Sequence, residues 1–410
     1  MSSTDKVSIH HLKNGLIVLV EEMPDFESAA FELHVPGGIA FDDASRIGSS
    51  LLLAELTTRG AGGLSSEMLS NSFDGLGVGH SESAGHERFV YRASILKDTF
   101  SEALRLSSLM VMSPHLPEEE VESIRSILLQ DIAALADNPS RRSMLELSKR
   151  YYPEPYNRPG CGTAEGIKGA TIEFLRAQQQ AYFGASGSIL SVAGNINTAQ
   201  VLAEAEKNFG SWGGVAKKRP AFGKIQPFAK YHLQEESAQL QIVLSYPSAP
   251  FGTEHYYAAK VAAQILSGGM FGRLFIEVRE KRGLVYSVYA AHSAMKEYGT
   301  VTAYAGTTPE RAHETLDVML QVMKGLKGSI EDLEIRRAKA SLKSGLVMGQ
   351  EGPGARASSI AHDFWLDGKL RTLDEIVARI DAVGQQELDA YLSAYPVEPF
   401  TLLTLGARNI

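Results

Sequence analysis

Short apolar runs bounded by turn residues alternate with long stretches of helical period along this chain. "GLIVLVEE" (15–22), "AAFELHV" (29–35) and "HERFVYRASI" (86–95) are rich in β-branched and aromatic residues, which predicts strands. "RIGSSLLLAELTTRGAG" predicts a helix over 46–58, stopped by Gly60, Gly62 and Gly63. Helices are predicted over 97–112, 117–137, 140–152 and 173–183, and a buried strand over 187–196.

The second half repeats this order. Ala93 and Ala305, Leu104 and Leu316, Val121 and Leu333, and Gly194 and Gly406 each stand 212 residues apart in matching contexts. A constant offset over so long a span predicts an internal duplication. The expected fold class is α+β: two homologous halves, each a mostly antiparallel sheet covered by helices, facing each other across a cleft. The halves are placed at 1–212 and 229–410, joined by a Gly-, Pro- and Lys-rich linker at 213–228. The short basic run Lys217–Arg219 in that linker is expected to be a solvated charge patch.

Composition narrows the function classes. The net charge of −8 and the lack of basic runs interleaved with aromatics argue against nucleic acid as a partner. One cysteine, Cys161, excludes an intrachain disulfide framework and a thiolate metal site. No window approaches the length of a membrane span, and "MSSTDKVSIHHLKNG" has no apolar h-region. These features predict a chain without membrane contact: cytoplasmic as it stands, or periplasmic or organellar had a targeting segment been removed. Of eleven histidines none forms H-x-x-x-H. His10 and His11 would point to opposite faces of a strand. His80 and His86 flank "SESAG", which reads as a turn-like loop.

"LKNGLIVLVEE", "PGGIAFDDASRIGSSLLLAELTTRGAGG", "YNRPGCGTAEGIK" and above all "ILSGGMFGRLFIEVREKRGLVYSVYA" resemble landmarks of the pitrilysin/insulinase-type metallopeptidases, in the branch of the processing peptidases. The resemblance runs from about Ser8 to Gly406 and includes the duplication. In active members the helix at 46–58 carries the inverted zinc motif H-x-x-E-H. By that resemblance the first His falls at Leu51, the Glu base at Ala54 and the second His at Glu55, while the later Glu ligand falls near Asp131. A catalytic zinc takes three His, Cys or carboxylate ligands. Two carboxylates and no imidazole are left, so no metal is expected in this chain.

The family's other functional element is an Arg and a Tyr seven residues apart. In "VREKRGLVY" these are Arg279 and Tyr286; Arg282 and Tyr289 share the spacing and form a rival pair. A guanidinium and a phenol are donors suited to a peptide carbonyl or the oxyanion formed from it. "LSGGMFG" (266–272) is either a plain turn or a short substrate flap, and it lacks the Lys-Ser/Thr of a phosphate loop. The resemblance therefore implies a non-catalytic subunit of a two-subunit zinc peptidase. Its partner would be a catalytic zinc-bearing subunit, in a heterodimer acting on peptides. The alternatives are a scaffold subunit, like the core proteins of a respiratory complex, and a peptide-binding homodimer without activity.

Overall fold

The computed structural model describes residues 7–410. The N-terminal half runs β1 (Val7–His11), β2 (Ile17–Glu22), β3 (Ser28–Pro36), α1 (Ser49–Leu56), α2 (Ser66–Gly75), β4 (Gly79–Ala84), β5 (Arg88–Leu96), α3 (Phe100–Met112), α4 (Glu118–Ala133), α5 (Pro139–Tyr151), α6 (Ala164–Gly169), α7 (Ile172–Tyr182), β6 (Ile189–Gly194) and α8 (Thr198–Phe209). The C-terminal half follows with β7 (Lys230–Gln234), β8 (Leu240–Ser248), α9 (Tyr256–Ser267), β9 (Val285–Ala294), β10 (Gly299–Thr307), α10 (Ala312–Lys324), α11 (Asp332–Met348), α12 (Pro353–Asp367), α13 (Leu373–Asp381), α14 (Gln385–Ala394) and β11 (Thr401–Gly406).

The duplication is visible element by element. The sheets are ordered β1-β2-β6-β3-β5-β4 and β7-β11-β8-β10-β9. Each holds one parallel pair, β2/β6 and β7/β11, among antiparallel ones. Helices α3 and α10 start at 100 and 312, and strands β6 and β11 at 189 and 401, the 212-residue offset in both cases. Gly194 and Gly406 close these strands at positive φ, 133° and 153°. A Cβ on Gly194 would lie 2.4 Å from the Cα of Ala29, so only glycine fits there. One pairing shifts. Val121 on α4 is buried, whereas Leu333 on α11 is 44% exposed, and Ile335 takes the buried place. The turn before α11 is two residues longer than the one before α4, which moves the offset to 214.

The halves are not separate along the chain. One compact unit comprises the chain up to Ala134, Arg158–Ala221 and Gly349–Leu370; the other comprises Leu135–Asn157, Phe222–Met348 and Arg371–Ile410. Each unit therefore takes one helix from the opposite half, α12 into the first and α5 into the second, and departs from the contiguous spans 1–212 and 229–410 in that respect. The sheet sequences explain the need. In the first sheet Phe31, Leu33, Val35, Phe89 and Tyr91 face a core made with the unit's own helices. The opposite face, with Leu19 and Ile189, is covered by Ile360, Phe364 and Trp365 of α12. In the second unit Leu147 of α5 packs on Val243, Tyr304, Leu403 and Leu405.

The α12-covered face also buries charge. Arg356 on α12 reaches Glu21 at 2.6 Å, and Arg88 Nη2 donates to His362 Nδ1 at 3.0 Å. Beneath them His34, fully buried, donates from Nε2 to Glu32 at 2.5 Å, and Arg92 holds the other Glu32 oxygen at 2.7 Å. Of the linker's basic run, Lys217 and Lys218 are exposed as expected, whereas Arg219 is tied down. Arg219 pairs with the buried Glu87, and the Lys217 ammonium lies 4.5 Å above the Tyr182 ring.

Burial lowers the pKa of His34 to about 4, against the opposing pull of Glu32. Glu32 stays ionised: burial pushes its pKa up, and His34 and Arg92 outweigh this. The unfolded chain binds a proton on His34 below about pH 6.5 and the folded chain only below about pH 4, so stability is lost as pH falls through that window. Over the whole window the loss is about 3 kcal/mol. Urea unfolding between pH 7 and pH 4.5 is expected to show a flatter pH dependence for His34→Gln than for the parent. Parallel curves would mean that the ring is not held neutral.

Candidate functional site

The loop before α1 sets where that helix starts. Asp42, buried, accepts from Gly48 N at 2.7 Å, Ser50 N at 3.2 Å and Gln178 Nε2 at 3.0 Å, and also from the Ser50 hydroxyl. Gly48 is left-handed at φ 107°, with Ile167 2.7 Å from where a Cβ would stand. The carboxylate ties down Gly48 N just before the helix and Ser50 N in its first turn, and α1 begins at Ser49 rather than near 46. Gly60, at φ 94°, lies beyond its end.

On this helix Leu51 is half-buried and Ala54 is 3% exposed. Glu55 lies 3.9 Å from Arg59 one turn on. Asp131 is exposed near the end of α4. Leu and Ala offer no lone pair, and Glu55 is engaged by a guanidinium, so these residues do not fit a zinc ion. Among the described residues no three His, Cys, Asp or Glu side chains come together as a metal site requires.

The segment at 80–86 differs from expectation. Ser81–Ala84 belong to β4, an edge strand paired with β5. His80 stacks on Phe73 at 4.1 Å, and His86 bonds the Arg158 carbonyl at 3.0 Å. Glu82, between them, was not anticipated. Burial and the charge of Glu55 raise its pKa to about 7, with Arg59 pulling the other way. Along β4 half-buried Glu82 alternates with exposed Ser81 and Ser83, but "HSESA" is polar at 80–83 and carries no apolar alternation that would mark it in sequence.

Arg279 and Tyr286 lie in the other unit. Residues Phe275–Glu280 form a π-helical turn, with Lys281 N donating to Ile276 O at 2.9 Å and Leu284 N to Val278 O at 3.0 Å. Val278 anchors the turn in the core at 0% exposure. Tyr286 follows at the start of β9, the edge strand of its sheet, and is 81% exposed. The Arg279 guanidinium carbon stands 5.1 Å from the Tyr286 ring centre and 5.0 Å from that of Phe275. Sequence reading missed Phe275; its i, i+4 spacing to Arg279 is the available signal. The rival pair is occupied otherwise. Arg282 binds Glu277 at 2.7 Å, and Tyr289 stacks on Tyr304 at 5.2 Å.

Two family descriptions match. "Insulinase (Peptidase family M16)" covers residues 17–163, and "Peptidase M16 inactive domain" covers residues 169–342. The chain belongs to peptidase family M16. An uncharacterized zinc protease of Rickettsia felis is 27% identical over 94% of this chain and 93% of its own. The uncharacterized zinc protease YmxG of Bacillus subtilis is 26% identical over 96% of this chain and 97% of its own. The crystal structure of a peptidase M16 inactive domain from Pseudomonas fluorescens superposes with a TM-score of 0.91 at 23% identity, covering 98% of both chains. A protease from Helicobacter pylori does so at 0.88 and 18%, covering 98% of this chain and 99% of that one. Both share the layout of two sheet-and-helix halves. Among the described residues of this M16 chain, no helix is long and apolar enough to cross a membrane.

Proposed function

We propose that this M16 chain is the non-catalytic subunit of a two-subunit zinc metallopeptidase. It contributes Arg279 and Tyr286 to peptide binding, and a partner subunit carries the zinc and the general base. The observation that carries this reading is the contrast between the two motif positions. Leu51 and Ala54 stand where a metal ligand and a base would be needed, yet Arg279 and Tyr286 are held together and accessible. A chain serving only as packing in a larger assembly has no physical need for an exposed tyrosine beside a half-buried arginine.

Two measurements test it. Metal analysis of the purified chain after dialysis is expected to find zinc well below one per chain. Mixing with a zinc-bearing M16 subunit is expected to yield cleavage of a peptide that neither chain cleaves alone. Chelator-sensitive cleavage by this chain alone would overturn the non-catalytic assignment. Co-purification within a larger assembly, with no gain of cleavage, would favour a scaffold role.

A further inference from the structure

The stretch 273–282 carries four cations, and three of them are spoken for. Arg273 makes two bonds to Glu334, at 2.7 and 2.6 Å, and two more to Ser329. Lys281 and Arg282 share Glu277, at 2.6 and 2.7 Å. Arg279 is different. Among the described residues no carboxylate lies within ion-pair distance of it and none of its N–H groups has a protein acceptor, in a chain whose net charge is −8. It is nevertheless placed, with aromatic rings at 5.0 and 5.1 Å from its guanidinium carbon.

The physics of that arrangement is specific. Aromatic faces attract a guanidinium through their π-electrons and leave its N–H donors, which lie in its plane, unused. The donors form a fork that matches a planar pair of oxygens. Arg279 is half-buried as a residue, and the two rings displace water from part of its surroundings, so an arriving anion meets fewer competing waters. A single carbonyl would satisfy one arm of the fork and none of the charge; a carboxylate satisfies both.

We propose that Phe275, Arg279 and Tyr286 form a receptor for a carboxylate group, the free C-terminus of a peptide, and that Phe275 is the positioning residue of that receptor. This rests on the reading of Arg279 and Tyr286 as peptide-binding residues and extends it: the fork that would donate to the oxyanion of a scissile carbonyl in the two-subunit enzyme would hold a terminal carboxylate in the chain alone. Binding needs no partner subunit. The site would retain a peptide by its end, whether substrate or cleavage product.

The experiment uses the full chain alone. A tetra-alanine peptide is titrated as the free acid and as the C-terminal amide, by calorimetry and by side-chain ¹⁵N spectra of arginine. The acid is expected to bind about ten-fold or more tightly than the amide, the worth of one charge-assisted bidentate contact, and to shift the Arg279 Nε resonance alone. Arg279→Lys keeps the charge, loses the fork and is expected to reduce the preference for the acid, whereas Arg279→Gln loses both and is expected to remove it. Phe275→Leu is expected to weaken acid binding about two- to five-fold, the worth of one cation–π contact, with recovery in Phe275→Tyr. Arg282→Ala serves as a control that binds like the parent. Equal binding of acid and amide overturns the carboxylate assignment. Failure of both to bind overturns the receptor, and an effect of Phe275→Leu that Phe275→Tyr does not reverse overturns its positioning role. Each of these outcomes is distinguishable from failure of the two-subunit reading, which shows as absence of cleavage in the mixed pair.

Discussion

Arg279→Ala is expected to slow peptide cleavage by the reconstituted pair about 10²-fold, the low end of the range for losing a donor to a developing oxyanion. The low end applies because the partner's metal would share in stabilising the same charge. The substitution also removes a long stem that lies between Phe275 and Tyr286, so part of its effect is packing. Tyr286→Phe separates the contributions. It keeps the ring against the guanidinium and deletes only the hydroxyl of a side chain that is 81% exposed. Folding and complex formation are expected to be unchanged in Tyr286→Phe, since the lost group lies on the surface. Arg282→Ala is the control, because Arg282 spends its charge on Glu277 and Lys281 holds that carboxylate in its absence. Parent-like cleavage by both Arg279→Ala and Tyr286→Phe, in complexes of the parent size, would end the assisting role and leave the scaffold reading in its place.

Neither half of the chain is expected to fold when produced alone. Residues 1–212 lack α12, which would leave Leu19, Ile189 and the Glu32–His34 pair uncovered. Residues 229–410 lack α5, which would expose Val243, Leu403 and Leu405. A large apolar side chain contributes about 1.5–3 kcal/mol when fully buried. Losing Ile360, Phe364 and Trp365 with the surface they cover is therefore worth roughly 5–10 kcal/mol. That matches the total stability of a typical domain, about 5–15 kcal/mol. Circular dichroism and urea titration of the separate halves check this. Spans that follow the units do better: 1–212 joined through a flexible linker to 349–370 is expected to show a cooperative transition that 1–212 alone does not. A cooperative transition in residues 1–212 alone would show that α12 is dispensable.

Much of this protein was legible in its sequence. The strands at 29–35 and 86–95 and the helices of the first half announce themselves by period, because one face of each must be buried and the pattern is local. The duplication is legible for the same reason, since both copies must satisfy the same sheet and helix pattern. That Leu51 and Ala54 cannot donate to a metal is legible too, because neither side chain carries a lone pair in any fold. Tertiary structure decided what depends on residues distant in sequence. No local pattern says that α5 and α12 change places; that follows from which sheet face lacks a cover. Asp42 moves the start of α1 through bonds to residues six, eight and 136 positions away. Glu277 takes Arg282, and among the described residues Arg279 has no counter-ion. Spacing treats the two pairs alike, and their different surroundings, one carboxylate at Arg282 and two aromatic rings at Arg279, follow from placement in space.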